Sequence, residues 1–581
     1  MKFGAVVVAT LLVSPLSLAA PSPAPERAAA SPRIEPGTQG TVRTVLQGTD
    51  VVDLPLEFLG LYEDAIGPGY DLYLVRLSGA EADKVGIAAG MSGSPVYVDG
   101  EIVGALSYRI GFLPKEPIAG VTPIRDMLDA ARAQTAPSGS GSGGVAPIAT
   151  PIFLGGVARP VAEHLQAELE KLGFVFVMSG GGESDDTGVP APLGPGSPVG
   201  VQLVRGDMTV AATGTVTWVD DTRVLAFGHP MLGVGRTDLP MVAADVLYTL
   251  PDLGGSVRLS TVGQALGAFR EDRLTAIVGQ LGVDARTVPV KLRVEGGDHP
   301  TREFSFELAR HSSLTPVLAG AVVSNALVLS VGYDEAATVR IDGQIRVAGL
   351  PTVPVRIAVA SGPGSHPYVT AAARIGQLVA TLYGNPFSEL DIDAIDLRID
   401  IARERTEYRL ESIHFDRGPV RPGQLLEVTC VLASYRAEAQ SRALEIQVPP
   451  DVGTGSPLSL VIGDPASVAR VLGNPLARRL QSADDLESYI RILGEVPASD
   501  RLTAVLYRKA AGAVSRGAAL AGLPLTAANL LGSQPGGSGD GYLTVAPLAS
   551  AGLKLDGPVE GSVLAAVEVE GSRPGAKEDE P

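Results

Sequence analysis

A chain of 581 residues is too long for one ordinary domain, and its length suggests about three or four domains. Its 70 glycines and 45 prolines favour short strands and tight turns over long helices. The net charge of −18 argues against a nucleic-acid-binding surface, because affinity for phosphates rests on Lys and Arg. The single cysteine, Cys430, excludes an intrachain disulfide and a cysteine-based metal cluster, and its apolar neighbours predict a buried strand thiol.

The N-terminus has the pattern of a secretory signal peptide. Lys2 precedes an apolar run that ends at Leu18, followed by small residues suited to cleavage. The run is short for a membrane span, although an uncleaved anchor is the alternative. We therefore predict a signal peptide over 1–19, a flexible leader over 20–39, no membrane span after cleavage, and a periplasmic or extracellular location.

Composition and hydrophobic periodicity divide the rest of the chain into predominantly β segments. Alternating runs predict strands on both sides of a Pro/Gly/Ser-rich linker, and many short alternating runs follow after residue 290. The predicted divisions are a first strand-rich segment (40–135), a linker with a connecting helix and loop (136–198), a second strand-rich segment (199–290), a sandwich-like β region (291–455), a mixed region (456–569) and a disordered charged tail (570–581).

The most informative stretch is Gly90-Met-Ser-Gly-Ser-Pro95, which leads into a hairpin predicted from Asp99-Gly100. A nucleophilic serine needs a tight turn, backbone N–H groups that face the oxyanion, and small neighbours. The glycines on both sides of Ser92 fit this need, so Ser92 is a candidate nucleophile with the N–H groups of Gly90 and Ser92 as oxyanion hole. The alternative is a plain Gly/Ser turn. The spacing differs from the Gly-x-Ser-x-Gly elbow, which disfavours a lipase or esterase.

A serine nucleophile requires a base, and His229 is the best-placed of the six histidines. It follows the apolar strand that ends in Phe227-Gly228, and Pro230 prevents that strand from continuing. The alternative is a loop histidine that hydrogen-bonds to backbone. The histidines lack metal-binding spacing such as His-x-x-x-His, so we predict neither a metal nor another cofactor.

These two segments together resemble the sporulation stage IV B peptidase family, serine peptidases of the chymotrypsin-like clan. The similarity covers about 40–135 and about 200–290. The segments that carry it are Gly40–Val45, Gly86–Pro95 for the nucleophile motif, Asp99–Ala105 for the following hairpin, Gly214–Asp221 with Phe227-Gly-His229 for the histidine hairpin, and Ser260–Asp272 for the strand region after it.

The resemblance implies a chymotrypsin-like double β-barrel in permuted order. The composition and the alternating runs predict a mainly β fold, in which a β-sandwich-like C-terminal region with a few short helices follows the barrel segments. In the family the histidine segment precedes the serine segment, whereas here it follows. Geometry and not chain order defines a catalytic triad, so permutation can preserve the site. The family's acid precedes the serine where this chain has Leu77-Ser-Gly79, which leaves Asp71 and Asp83 as the candidates for orienting His229.

Two functions remain open from the sequence. The first is an exported serine endopeptidase that hydrolyses a protein or peptide substrate through a Ser92 acyl-enzyme, with His229 as general base. The second is a catalytically inactive, peptidase-like scaffold that binds proteins or cell-envelope components. The permuted order and the unplaced acid favour the second somewhat.

Overall fold

A computed structural model describes most of the chain between residues 34 and 570. The described ranges are 34–111, 115–130, 144–172, 174–178, 192–296, 300–331, 338–362, 366–416, 418–453, 457–515, 518–521, 523–524, 526–527 and 541–570. The predicted signal peptide (1–19), most of the leader and nearly all of the charged tail lie outside them. Strands account for 54% and helices for 18%, which confirms a mainly β fold.

The first strand-rich segment folds into a closed, six-stranded antiparallel β-barrel. Its strands are β1 (Gln39–Val45), β2 (Val51–Gly67), β3 (Tyr70–Leu77), β4 (Ser94–Val98), β5 (Glu101–Ile110) and β6 (Ile118–Pro123). They pair in the order β4-β1-β2-β3-β6-β5, and the β4–β5 pairing closes the barrel. Alternate side chains such as Leu54, Leu56 and Phe58 point inward and form its core. We call this unit the first barrel.

The predicted Asp99-Gly100 hairpin is confirmed. Asp99 and Gly100 have φ values of 50° and 84° and connect the antiparallel pair Val98↔Glu101. Two consecutive left-handed residues match the right-handed twist of the strands, which is why Asn-Gly and Asp-Gly dominate such turns. Ser92 therefore lies just before β4, between the short helix α1 (Ala80–Val85) and this hairpin.

The second strand-rich segment forms another cyclic set of six antiparallel strands. The elements from α2 to β15 are α2 (Ile124–Ala130), β7 (Val145–Pro147), β8 (Thr150–Gly155), α3 (Arg159–Glu170), β9 (Phe174–Met178), β10 (Pro198–Gly206), β11 (Thr209–Asp220), β12 (Arg223–Ala226), β13 (Gly235–Leu250), β14 (Val257–Arg273) and β15 (Ala276–Leu281). The six strands pair in the order β10-β13-β14-β15-β12-β11, and the pairing of β11 with β10 closes the cycle. We call this set the second ring.

The second ring is part of a 13-stranded sheet that continues into the predicted sandwich-like region. The added elements are β16 (Thr287–Gly296), β17 (Arg302–Ala309), α4 (Thr315–Val331), β18 (Thr338–Val347), β19 (Val353–Ala360), α5 (Pro367–Tyr383) and β20 (Ile392–Ala402). The parallel β16–β20 pairing joins segments about a hundred residues apart. In the described part of the chain, no helix has the length and apolar character needed to cross a membrane.

The elements from β21 onward form two further sheets. These elements are β21 (Tyr408–His414), β22 (Leu425–Ser434), β23 (Ala437–Gln447), β24 (Pro457–Gly463), α6 (Pro465–Val471), α7 (Pro475–Gln481), α8 (Leu486–Leu493), β25 (Arg501–Ser515), β26 (Ala518–Ala521), β27 (Gly541–Lys554), β28 (Val559–Glu560) and β29 (Ser562–Glu568). A four-stranded and a five-stranded sheet share one apolar core. Cys430 is buried in that core, and burial raises its pKa to about 11.

Candidate active site

Ser92 lies on a tight loop between α1 and β4 that needs glycine on both sides. Gly90 and Gly93 have φ values of 93° and 94°, a region that glycine adopts without strain. At Gly93 a Cβ atom would lie 2.0 Å from the Thr215 carbonyl oxygen and 2.5 Å from the Phe227 nitrogen. Glycine at this position therefore lets the loop lie directly against the backbone of the second ring.

Thr215 and Thr217 on β11 hold the Ser92 loop through hydrogen bonds. The N–H of Thr215 donates to the Ser92 carbonyl oxygen at 2.9 Å, and its hydroxyl donates to the Gly90 carbonyl oxygen at 3.0 Å. The hydroxyl of Thr217 donates to the Gly93 carbonyl oxygen at 2.7 Å. The loop that carries Ser92 is thus built from the first barrel but fixed by the second ring.

His229 belongs to the second ring and lies at the same junction between the first barrel and the second ring. Phe227 and Gly228 adopt φ values of 68° and 70° and turn the chain out of β12. The Thr122 hydroxyl of the first barrel then donates to the Gly228 carbonyl oxygen at 2.8 Å. Because Gly93 contacts the backbone of Phe227, two residues before His229, the predicted serine and histidine segments meet in the fold.

The two reactive groups are enclosed and unpartnered. Ser92 is 0% exposed and His229 is 2% exposed. Within the described part of the chain, neither the Ser92 hydroxyl nor the His229 Nε2 atom has a hydrogen-bond partner. The rings of Tyr108 and Phe227 meet the imidazole edge-on, with centroid distances of 6.3 and 6.2 Å. The hydroxyl and the Nε2 atom are therefore shielded from solvent and do not hydrogen-bond to each other.

The contact made by Nδ1 defines the protonation form of His229. Nδ1 lies 2.8 Å from the carbonyl oxygen of Pro230, which can only accept a hydrogen bond, so Nδ1 carries the proton. Burial lowers the pKa of His229 to about 4, while the Pro230 and Ile148 carbonyls act in the opposite direction. The imidazole is therefore neutral at pH 7 with a free lone pair on Nε2, the form that a general base requires.

The predicted acids Asp71 and Asp83 lie elsewhere in the first barrel. Asp71 is half-buried on β3 and accepts a hydrogen bond from the N–H of Asp64 at 2.9 Å. Asp83 is exposed on α1. In the described part of the chain, neither residue hydrogen-bonds to His229, so their orienting role stays a prediction.

One of the two N–H groups of the predicted oxyanion hole already donates a hydrogen bond within the protein. The N–H of Gly90 donates to the carbonyl oxygen of Ala149 at 3.2 Å, so this donor is occupied. The N–H of Ser92 has no backbone acceptor among the described residues. Of the two predicted donors, Ser92 is the one that could receive an oxyanion without first breaking a backbone hydrogen bond.

Two buried charged residues near the site were not predicted from the sequence. Arg258, 1% exposed, donates to the Gly90 carbonyl oxygen at 2.8 Å and also to the hydroxyls of Thr215 and Thr44. Burial lowers its pKa to about 9, so the guanidinium is still protonated at neutral pH. Asp272, 1% exposed, accepts hydrogen bonds from the backbone that follows His229. In the sequence, Asp272 was marked only as the last residue of Ser260–Asp272, one of the segments that carry the family resemblance.

A half-open groove of about 370 Å³ runs beside the Ser92 loop. Ala89, Ile148 and Ala149 line the end of the groove that adjoins Gly90 and the imidazole. Charges of both signs line the remainder, among them Lys84 and Asp252. The groove offers an extended chain a place next to the loop, although Ser92 itself is not part of its wall.

Replacing His229 by glutamine is expected to weaken the pH dependence of stability between pH 6.5 and 4. The pKa of His229 is about 4 in the folded state and 6.5 as an ordinary value, so the unfolded chain binds more protons in this window. The free energy of unfolding that depends on a neutral His229 is therefore fully present above pH 6.5, and it is lost as the pH falls toward 4. It amounts to something on the order of 3 kcal/mol.

Thermal unfolding of the wild type and of His229→Gln at pH 7 and pH 4 measures this effect. The wild type should lose more stability on acidification than the variant does. Equal losses in the two proteins would contradict a buried, neutral His229.

Comparisons of the chain with protein-family models, curated proteins and solved structures returned no match, so its function has to be argued from the site.

Proposed function

We propose that this protein is an exported serine endopeptidase, with Ser92 as nucleophile and His229 as general base. The observation that carries the proposal is the meeting of two distant segments at one junction, with the Ser92 hydroxyl and the His229 Nε2 atom buried and unpartnered. Buried polar atoms without partners are costly, and a catalytic role is one reason for a protein to keep them. The first barrel and the second ring support a permuted chymotrypsin-like arrangement as part of this proposal.

The proposed chemistry follows from the protonation form of His229. Nε2 accepts the Ser92 proton as the serine oxygen attacks the scissile carbonyl carbon, and the N–H of Ser92 stabilises the oxyanion. The imidazolium then returns the proton to the leaving amine, which leaves an acyl-enzyme on Ser92. Water hydrolyses this ester, again with His229 as base.

Substrate access in this proposal requires the site to open. Ser92 and His229 are almost completely buried, and the neighbouring groove reaches only as far as Ala89 and Ile148. An extended peptide in the groove would lie next to the Ser92 loop. Displacement of the Gly90–Ala149 hydrogen bond would both widen the loop and free the second oxyanion donor.

A fluorophosphonate probe tests the proposed nucleophile. We expect covalent labelling of the wild type, located by mass spectrometry on the peptide that contains Ser92, and complete loss of labelling in Ser92→Ala. Ser94→Ala is the matched control, because Ser94 is also buried but its hydroxyl already binds the Met91 carbonyl oxygen at 2.7 Å. Labelling that persists in Ser92→Ala would overturn the proposal.

The enclosure of the site favours one alternative, an inactive peptidase-like scaffold that binds proteins or cell-envelope components. Its specific support is that the N–H of Gly90 already donates to Ala149 and that, among the described residues, no carboxylate hydrogen-bonds to the ring of His229. Failure of the probe to label well-folded wild type would favour the scaffold.

A further inference from the structure

A single peptide group joins His229 to the buried carboxylate of Asp272. The carbonyl oxygen of Pro230 accepts the hydrogen bond from Nδ1 of His229 at 2.8 Å. The N–H of Met231, which belongs to the same peptide group, donates to Oδ1 of Asp272 at 2.9 Å. In a trans peptide the C=O and N–H bonds point in opposite directions, so the imidazole and the carboxylate lie on opposite sides of one amide.

Asp272 also anchors the turn that follows Met231. Its Oδ2 atom accepts hydrogen bonds from the N–H groups of Leu232 and Gly233 at 2.7 and 2.9 Å. Burial raises the pKa of Asp272, and the backbone donors act in the opposite direction. Three N–H groups directed at two oxygens are the environment of an accepting carboxylate. The turn therefore has one fixed position relative to β14, which carries Asp272.

We propose that Asp272 is a positioning residue that orients His229 through the Pro230–Met231 peptide group, in place of a carboxylate in direct contact with the ring. A carboxylate that accepts from an amide N–H polarises the amide and strengthens its carbonyl oxygen as an acceptor. The strengthened acceptor favours the proton on Nδ1 and leaves Nε2 unprotonated. It also stabilises the imidazolium that forms when Ser92 gives up its proton.

This arrangement explains how a Ser–His pair could work without Asp71 or Asp83. A triad acid holds the imidazole in one tautomer and one orientation, and the polarised Pro230 carbonyl provides both effects. The catalytic consequence rests on the peptidase function proposed above. The tautomer and the anchored turn do not depend on it.

The first measurement is the tautomer of His229, read from ¹⁵N chemical shifts in protein labelled at histidine. His229→Gln identifies the signal by its loss. The wild type should show the Nδ1–H form, and an Nε2–H form would overturn the proposal even if every Asp272 variant failed to fold.

The second measurement compares Asp272→Asn with Asp126→Asn, a control that removes another buried carboxylate. Asparagine cannot accept all three N–H groups, so we expect labelling of Ser92 to slow about 10- to 100-fold, the range of one hydrogen bond to a charged group. A second tautomer of His229 should appear at the same time. The control should change neither readout.

The outcomes separate the two proposals. Wild type that labels, together with an Asp272→Asn variant of unchanged rate and tautomer, would overturn the role of Asp272 and leave the peptidase intact. Wild type that does not label would count against the peptidase, whereas the tautomer measurement would still decide the role of Asp272.

Discussion

Replacing His229 by alanine is expected to slow fluorophosphonate labelling of Ser92 at pH 7 by about 10²–10⁴-fold, the usual contribution of general base catalysis. Serine is a weak nucleophile at its ordinary pKa, and Nε2 of His229 is a buried nitrogen at the same junction that can accept a proton. The N–H of Ser92 remains in the variant, so a slow residual reaction should persist.

Labelling rates of purified, folded variants measure this effect, and circular dichroism checks the fold. His164→Ala is the control, because His164 is exposed on α3 and should label at the wild-type rate. A His229→Ala variant as fast as the control would remove His229 from the mechanism. That result would leave Ser92 without a candidate general base at this junction.

Replacing Gly93 by alanine is expected to destabilise the protein by about 3 kcal/mol or more, because strain and overpacking add at this position. The new Cβ atom would meet backbone atoms of Thr215 and Phe227 at 2.0 and 2.5 Å. Thr215 lies in β11 and Phe227 directly follows β12, so these backbone atoms cannot move aside cheaply. The variant should also lose labelling of Ser92, since the same contact brings the serine and histidine segments together.

Gly100→Ala is the control that tests backbone strain alone, without the steric contact that a Cβ atom at position 93 would make. Gly100 has a φ of 84°, close to the 94° of Gly93, but a Cβ atom there would meet nothing within 4 Å. We expect this variant to lose only about 1 kcal/mol. Denaturant unfolding followed by fluorescence compares the two, and equal losses would show that the contact between the barrel and the ring does not limit stability.

Local sequence patterns predicted much of the first barrel and the turn that carries Ser92. Period-two alternation identified β1, β2 and β3 of the first barrel, and Asp99-Gly100 identified the hairpin after the serine, whereas β6 was not predicted. The glycines beside Ser92 indicated a tight turn, which the φ values of Gly90 and Gly93 confirm. Each of these signals depends on a residue and its nearest neighbours, so one sequence is enough to detect it.

The helices α4 and α5 show where such patterns stop being informative. The alternating runs after residue 290 predict short strands with a few short helices, but the structure has two 17-residue helices there. Helix α4 is apolar on nearly every side because it is buried on nearly every side, and it therefore lacks the amphipathic period that identifies a surface helix. The parallel β16–β20 pairing was equally hidden, since it joins distant segments.

The sequence by itself determined which residues could supply the nucleophile and the base, because Ser92 and His229 stand in distinctive local settings. Only the tertiary structure decided what surrounds them. Asp71 and Asp83 were chosen for their closeness along the chain to Ser92. The structure instead places Arg258 of β14 against Gly90, 168 residues before it, and Asp272 of the same strand against Met231, 41 residues before it. A hydrogen bond requires closeness in space, and the folding of the barrel against the second ring creates that closeness.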